Sequence, residues 1–330
     1  MPANRTSSIH LFQIAGIDVY LNWSWFIIAI IEIGYLRNRY TSLVWSALEY
    51  LALFLIVLMH EFGHALACRQ VGGTANRIML WPLGGVAYVD PPPRPGAMLW
   101  SLAAGPLVNV ALLVPLGALG GRYLLTDFLG EPRPHSDAVT WLIAVFSIDL
   151  GLLIFNTLPI YPLDGGQILR SLLWFVLGRG RSLMAATVIG FIGAGAFVLF
   201  ALLGMFAAPG ASVWLLAIAA YMLMNCWNGW KVARALIRME KLPRREGYAC
   251  PSCGAKPPLG ARWKCAQCQK AFDTFESGGA CPWCGAQFPT TMCGDCRKSS
   301  PIRDWMAAGA YQGVAVASGA PMIGQRPVGS

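Results

Sequence analysis

Apolar residues run almost unbroken over six stretches of the chain, at about 23–36, 46–67, 97–119, 138–158, 183–208 and 213–230. A helix of about 20 such residues crosses the hydrocarbon core of a bilayer, so the pattern predicts an all-α polytopic membrane protein with six transmembrane helices. The fifth stretch carries Gly190, Gly193, Ala194 and Gly195, a small-residue surface on which a neighbouring helix can pack closely. Two connecting segments break the helical rhythm. In ANRIMLWPLGGVAYVDPPP, short strand-forming runs flank Pro82, Gly84 and Gly85 and end in a proline stop, which predicts a membrane-associated β-hairpin. The N-terminal IHLFQIAGIDVYL fits strand, turn at Gly16 and strand, and by pattern alone fits an interfacial amphipathic segment about as well.

Composition agrees with this class, since 56% of the 330 residues are hydrophobic and only 12% are charged. Residues 1–22 lack a charged start followed by an apolar stretch and a small-residue cleavage site, so the first apolar helix is expected to stay. The net charge of +9 is uneven: residues 231–330 hold 14 Lys and Arg against 6 Asp and Glu, while residues 1–230 hold 11 against 10. Basic residues follow the second stretch (Arg69, Arg77, Arg94), the fourth (Arg170, Arg179, Arg181) and, densely, the sixth. Positive charge marks inward-facing loops, which puts both termini on the cytoplasmic side of the cell membrane. Four segments follow: a six-helix domain over 1–230, a basic linker over 231–247, a cysteine-rich module over 248–300, and a tail over 301–330 whose Gly, Ala, Pro and Ser content predicts disorder.

The second stretch contains His60, Glu61 and His64. Helical positions four apart share a face, so the two imidazoles can hold one metal ion with Glu61 beside it, the His-Glu-x-x-His pattern of zinc sites. Ionisable groups in the bilayer cost at least about 2.5–3.5 kcal/mol each, so such residues are expected to be functional. In this chemistry the metal lowers the pKa of a bound water from about 16 to about 7, and the glutamate takes its proton and returns it to the leaving amine.

A catalytic zinc takes three protein ligands, so a third is required. Cys68 lies one turn beyond His64, although a lone cysteine in an apolar helix is more often a packing residue. Asp149 lies inside the fourth stretch, as ligand, proton relay or structural acid. Asp164 sits in NTLPIYPLDGGQ, where prolines and glycines break the helix and leave polar groups free to line a cavity. With an inside N-terminus, His60, His64, Asn156 and Asp164 fall on the cytoplasmic side, with Gly105 and Asn109 at similar depth. That favours Asp164 over Asp149.

Eight of the ten cysteines form four Cys-x-x-Cys pairs: Cys250 with Cys253, Cys265 with Cys268, Cys281 with Cys284, and Cys293 with Cys296. The intervening 11, 12 and 8 residues allow two four-cysteine structural zinc sites, paired sequentially or nested, the inner four on one ion and the outer four on another. A disulfide framework is the alternative, disfavoured by the basic flank that places this segment inside. Trp263, Phe272, Phe275, Trp283 and Phe288 are few for a self-sufficient core, so zinc would supply folding energy. The mild basic surplus does not call for nucleic acid, and a regulatory protein is the expected partner of this module. The basic run over 231–245 anchors topology and meets the membrane lipid surface.

HEFGH at 60–64, AGPLVN at 104–109 and NTLPIYPLDGG at 156–166 together resemble the site-2 proteases, intramembrane zinc metalloproteases, over roughly residues 9–230. The resemblance implies that His60, His64 and Asp164 bind a catalytic zinc and that Glu61 is the acid/base. It also implies that Asn109 and Asn156 hold substrate or the developing oxyanion, with interhelical hydrogen bonding as their plainer role, and that the hairpin near Pro82 engages an unwound substrate. Its substrate would be a single-pass transmembrane protein, cut within or near its membrane segment in regulated intramembrane proteolysis. The doubled glycine after Asp164 departs from the family pattern without expected consequence, and a PDZ or CBS regulatory domain is not evident. The rival is a non-enzymatic membrane scaffold or transporter that binds a partner through its zinc ribbons.

Overall fold

The computed structural model describes residues 8–36, 38–81, 84–121, 123, 135–204, 209–306 and 326–327. The helices are α1 (Ser24–Leu36), α2 (Leu43–Gln70), α3 (Pro95–Leu116), α4 (Asp137–Thr157), α5 (Asp164–Leu177), α6 (Arg179–Gly204) and α7 (Pro209–Glu240). Among the described residues four helices are long and apolar enough to cross a membrane: α2, α3 with the turn that extends it to Gly120, α4 and α6. Helix α1, with 13 residues, is shorter than a span, and α7 carries the sixth apolar stretch and the first basic residues of the expected linker in one 32-residue helix. The expected linker is thus helical over its first ten residues.

The strands require a correction to an all-α reading. The expected hairpin is present as β3 (Thr74–Trp81) and β4 (Gly84–Asp90), although Pro82 and Leu83 at its tip lie outside the described residues. The N-terminal segment forms a second hairpin, β1 (Ser8–Ile14) and β2 (Ile17–Asn22), turning through Gly16 with φ near +70°. The two hairpins join into one four-stranded sheet, β1-β2-β3-β4, because β2 pairs in parallel with β3 from Asp18 opposite Arg77 to Leu21 opposite Leu80. Arg69, at the C-terminal end of α2, ties this sheet down by donating to the carbonyls of Ala15, Gly16 and Ala75. A basic side chain there also complements the negative end of the helix dipole. Ile17, Val19, Ile78 and Leu80 pack with Ala65, Val57 and Leu58 of α2 in the core beneath the sheet.

Helix α2 starts at Ser42, whose Oγ accepts the Val44 N–H at 3.2 Å. Gly63 lets α3 come close: a Cβ there would lie 2.8 Å from the Ala104 carbonyl oxygen. Helix α5 begins at Asp164 after the break over Leu158–Leu163. Both glycines that follow are needed there, since a Cβ on Gly165 would lie 2.3 Å from the Thr157 carbonyl oxygen and one on Gly166 would lie 2.3 Å from the Tyr161 amide nitrogen.

The chain divides into two compact units, 1–178 with 185–227, and 179–184 with 228–330. The second contains four copies of one cysteine turn. In each, the backbone N–H four residues after the first cysteine donates to that cysteine's carbonyl, at Gly254, Gln269, Gly285 and Arg297, and all four of those residues have positive φ. Cys250, Trp263, Cys265, Phe272, Phe275, Cys281, Phe288, Cys293, Ile302 and Trp305 form the core of this unit. That core reaches past residue 300, where the module was expected to end. Trp305 is fully buried and its carbonyl accepts the Ala249 N–H. Beyond Met306 only Arg326 and Pro327 of the expected disordered tail are described, paired with Trp263 and Lys264.

Candidate metal centre

Helix α2 presents His60 and His64 from adjacent turns, and the start of α5 brings Asp164 to them. His60 Nε2 lies 3.0 Å from Asp164 Oδ2, His64 Nε2 lies 3.2 Å from the same oxygen, and the two Nε2 atoms are 3.1 Å apart. The other ring nitrogens are occupied: His60 Nδ1–H donates to Asn109 Oδ1 at 2.5 Å, and His64 Nδ1–H donates to the Ser101 carbonyl at 2.8 Å. With both Nδ1 atoms donating, each neutral ring turns an Nε2 lone pair inward. Without a cation between them, these lone pairs and the carboxylate oxygen would repel one another, or both rings would have to be charged side by side. Four-coordinate zinc with bonds of about 2.0–2.1 Å places its N and O ligands about 3.3 Å apart, close to these separations. The site therefore fits zinc.

Small residues leave room for this arrangement. A Cβ on Gly105 would lie 2.3 Å from His64 Nε2 and 2.8 Å from His60 Nε2, so the third helix can pass the imidazoles only with glycine there. Glu61 points toward the hairpin, where its Oε2 accepts the Ala87 N–H at 2.7 Å. Gly85 is a second close approach, since a Cβ there would lie 2.2 Å from Glu61 Cγ. His60, Glu61, His64 and Asp164 line a cavity of about 500 Å³ with Asn156, Tyr161, Gln167, Tyr221, Asn225 and the edge of β4.

The remaining expected residues fall as follows. Asn109 and Asn156 both line the cavity. Asn109 is fully buried with both ends of its amide engaged, Oδ1 by His60 and Nδ2 by Asp149 Oδ1 at 2.5 Å. Asp149 stands behind Asn109 and is not among the clustered metal-binding groups. Cys68 is a packing residue whose Sγ–H faces the Thr74 carbonyl. The Ala87 amide, the Ser101 carbonyl, Gly85 and Asn225 carry no sequence signal, because each reaches the site through a contact between distant elements.

In the second unit Cys250, Cys253, Cys293 and Cys296 cluster together, and so do Cys265, Cys268, Cys281 and Cys284. Sulfur separations of 3.7 Å for Cys250–Cys296, 3.8 Å for Cys253–Cys293, 3.5 Å for Cys265–Cys284 and 3.7 Å for Cys268–Cys281 are far above a disulfide bond. They match the edge of about 3.8 Å of a tetrahedron with Zn–S near 2.3 Å. The arrangement is the nested one.

A family model described as Peptidase family M50 matches residues 49–130 and 131–202, which hold the histidines, Glu61 and Asp164. Over those residues the chain is similar to this family, the site-2 proteases. A zinc metalloprotease of Methanocaldococcus jannaschii is 32% identical to this chain over 198 residues, 60% of the chain and 55% of that relative. Stage IV sporulation protein FB of Bacillus subtilis is 31% identical over 121 residues, 36% of the chain and 38% of that protein. The solved structure of a site-2 protease from Methanocaldococcus jannaschii is 28% identical, covers 68% of the chain and 95% of that structure, with a TM-score of 0.46. The chain thus spans about half the length of the curated relatives it matches. Its four long apolar helices and this similarity make it a multi-pass membrane protein.

Proposed function

We propose that this protein is an intramembrane zinc metalloendopeptidase that hydrolyses a peptide bond within or near the transmembrane segment of a membrane-tethered, single-pass protein, in regulated intramembrane proteolysis. The observation that carries the reading is the convergence of two imidazole Nε2 atoms and one carboxylate oxygen within 3.2 Å, next to a glutamate in a cavity lined by both polar and apolar side chains. His60, His64 and Asp164 would hold the ion. When bound, zinc supplies Lewis acidity, acidifying a water and polarising a carbonyl.

Glu61 accepts the proton released as water attacks and delivers it to the leaving amine. Its carboxylate lies one residue from His60 on α2 and is held by the Ala87 N–H, so the base is positioned by two elements. Asn156, at the cavity wall, is the group we assign to substrate or the developing oxyanion. A substrate helix must unwind before its peptide bond is reachable, and its freed amides need partners. The polar side chains of the cavity, among them Asn156, Gln167 and Asn225, and the β4 edge supply them.

The topology we favour has six spans, with α1 and α7 added to the four longer apolar helices, and both termini cytoplasmic. We assign residues 1–230 to the protease domain, the basic segment over 231–247 to a linker at the lipid surface, and the cysteine module to two structural zinc ions and a regulatory protein partner. The deciding experiment is Glu61→Gln in purified protein with a model transmembrane substrate. Cleavage should fall at least about 100-fold while zinc content is unchanged. Undiminished cleavage rejects the role assigned to Glu61, and no cleavage by the wild-type protein favours a non-enzymatic scaffold or transporter.

A further inference from the structure

From His60 a second carboxylate, that of Asp149, is reached through one amide, that of Asn109 at the cavity wall. His60 Nδ1 lies 2.5 Å from Asn109 Oδ1, and Asn109 Nδ2 lies 2.5 Å from Asp149 Oδ1. Asn109 and Asp149 are both fully buried, on α3 and α4 respectively, and Asp149 Oδ2 has no hydrogen-bond partner among the described residues. Burying a carboxylate with one of its oxygens unpaired is expensive. A clasp between α3 and α4 could use two amides at lower cost, so the charge itself calls for an explanation.

An ionised carboxylate can only accept hydrogen bonds. Asn109 Nδ2 donates to Asp149 Oδ1, so the amide turns its NH2 toward α4 and its carbonyl toward α2. A carbonyl can only accept, so His60 must carry its proton on Nδ1, which leaves the Nε2 lone pair facing His64 and Asp164. With the amide reversed, His60 would hold its proton on Nε2 and could not ligate through that atom.

We propose that Asp149 and Asn109 are positioning residues that fix the tautomer and ring orientation of His60 for metal binding, as a carboxylate–amide–imidazole relay. Asn109 then acts on the metal ligand and not on substrate, which leaves substrate contact to Asn156. The inference rests on the reading that His60 ligates a metal. It differs from that reading in what it predicts for the supporting groups.

The test is zinc affinity of the full-length protein in detergent at buffered free zinc, with His60→Ala giving the contribution of the cysteine sites. Asp149→Leu and Asn109→Asp should each weaken the histidine site about 10- to 100-fold, the usual effect of removing a group that orients a ligand. Asn109→Asp should be the worse, because it sets two buried carboxylates against each other. Asp149→Asn should be milder, since an amide can still accept from Asn109 but no longer dictates its direction. The double variant N109D/D149N restores an acceptor facing His60 and a donor between the two groups, and should bind zinc more tightly than either of its component variants.

A double variant no better than its components overturns the proposal. Variants that lower thermal stability but leave zinc affinity at the wild-type value also overturn it, and would reduce the pair to an interhelical clasp. If Asp149→Leu fails to fold, the ordering of the other three still decides. Wild-type protein with no more zinc than His60→Ala would instead reject the metal reading beneath the proposal.

Discussion

Glu61 of α2 accepts a hydrogen bond from the backbone N–H of Ala87 on β4 at 2.7 Å, joining the proposed catalytic base to the edge of the sheet. The contact depends on Gly85, since any side chain there would occupy the space of Glu61 Cγ and Cδ. Gly85→Ala should therefore displace the carboxylate and lower cleavage of a model substrate about 100-fold, as small misplacements of a catalytic group do. Zinc per chain should stay at the wild-type value, which separates a displaced base from a lost metal.

Gly105 gives the opposite result. A methyl there would lie 2.3 Å from His64 Nε2 and 2.5 Å from its Cε1, so Gly105→Ala should weaken zinc at the histidines about 100-fold or more and leave the cysteine sites loaded. Gly151→Ala on α4 meets open space and should change neither zinc content nor cleavage. Metal analysis of the purified proteins distinguishes them.

The nested cysteine arrangement predicts a pattern of pairwise losses. Cys250→Ser with Cys293→Ser strikes one cluster and should remove one zinc, whereas Cys250→Ser with Cys265→Ser strikes both and should remove two. Sequential pairing predicts the reverse. Because the metal supplies much of the folding energy of so small a unit, complete chelation should also make the segment from Cys250 to Trp305 sensitive to protease.

Tyr40 and Glu49 make a prediction about pH. The Tyr40 hydroxyl donates to the buried Glu49 carboxylate, which Arg39 also meets at 3.2 Å. Burial, and then the hydrogen bond to Glu49, push the Tyr40 phenol above its ordinary value of 10.0. A group raised in the folded state contributes stability that is complete below its ordinary value and is lost as pH rises beyond it. Melting temperature should therefore fall as pH is raised above 10, and Tyr40→Phe should flatten that dependence. The variant should also cost about 1–3 kcal/mol by leaving a buried carboxylate short of a donor.

The helix that carries His60 and His64 was legible because its signal is local: the four-residue spacing puts the two imidazoles on one face whatever surrounds them. Asp164 was reachable from sequence through the helix-breaking residues before it, which mark a polar opening in an apolar chain. The second hairpin was ambiguous, since β2 is fixed by parallel pairing with β3, more than 50 residues away. Asn109 carried an ambiguous signal. An asparagine near a cavity suits substrate contact by type, and only the acid behind it reveals where its amide is engaged. The doubled glycine at 165–166 looked harmless because the backbone it packs against comes from the break that precedes it.

The amino-acid sequence by itself determined the apolar stretches, the His-Glu-x-x-His face and the four cysteine turns. Each of these follows from contacts within one or two turns of the chain. Tertiary structure decided which cysteine turns share a cluster, how the hairpins merge into one sheet, and that Asp149 reaches His60 through Asn109. Spacers of 11, 12 and 8 residues permit either pairing, so the choice falls to the burial of Trp263, Phe275 and Trp305 in one core. Periodicity sets where a side chain points on its own element, but packing free energy alone sets what it meets.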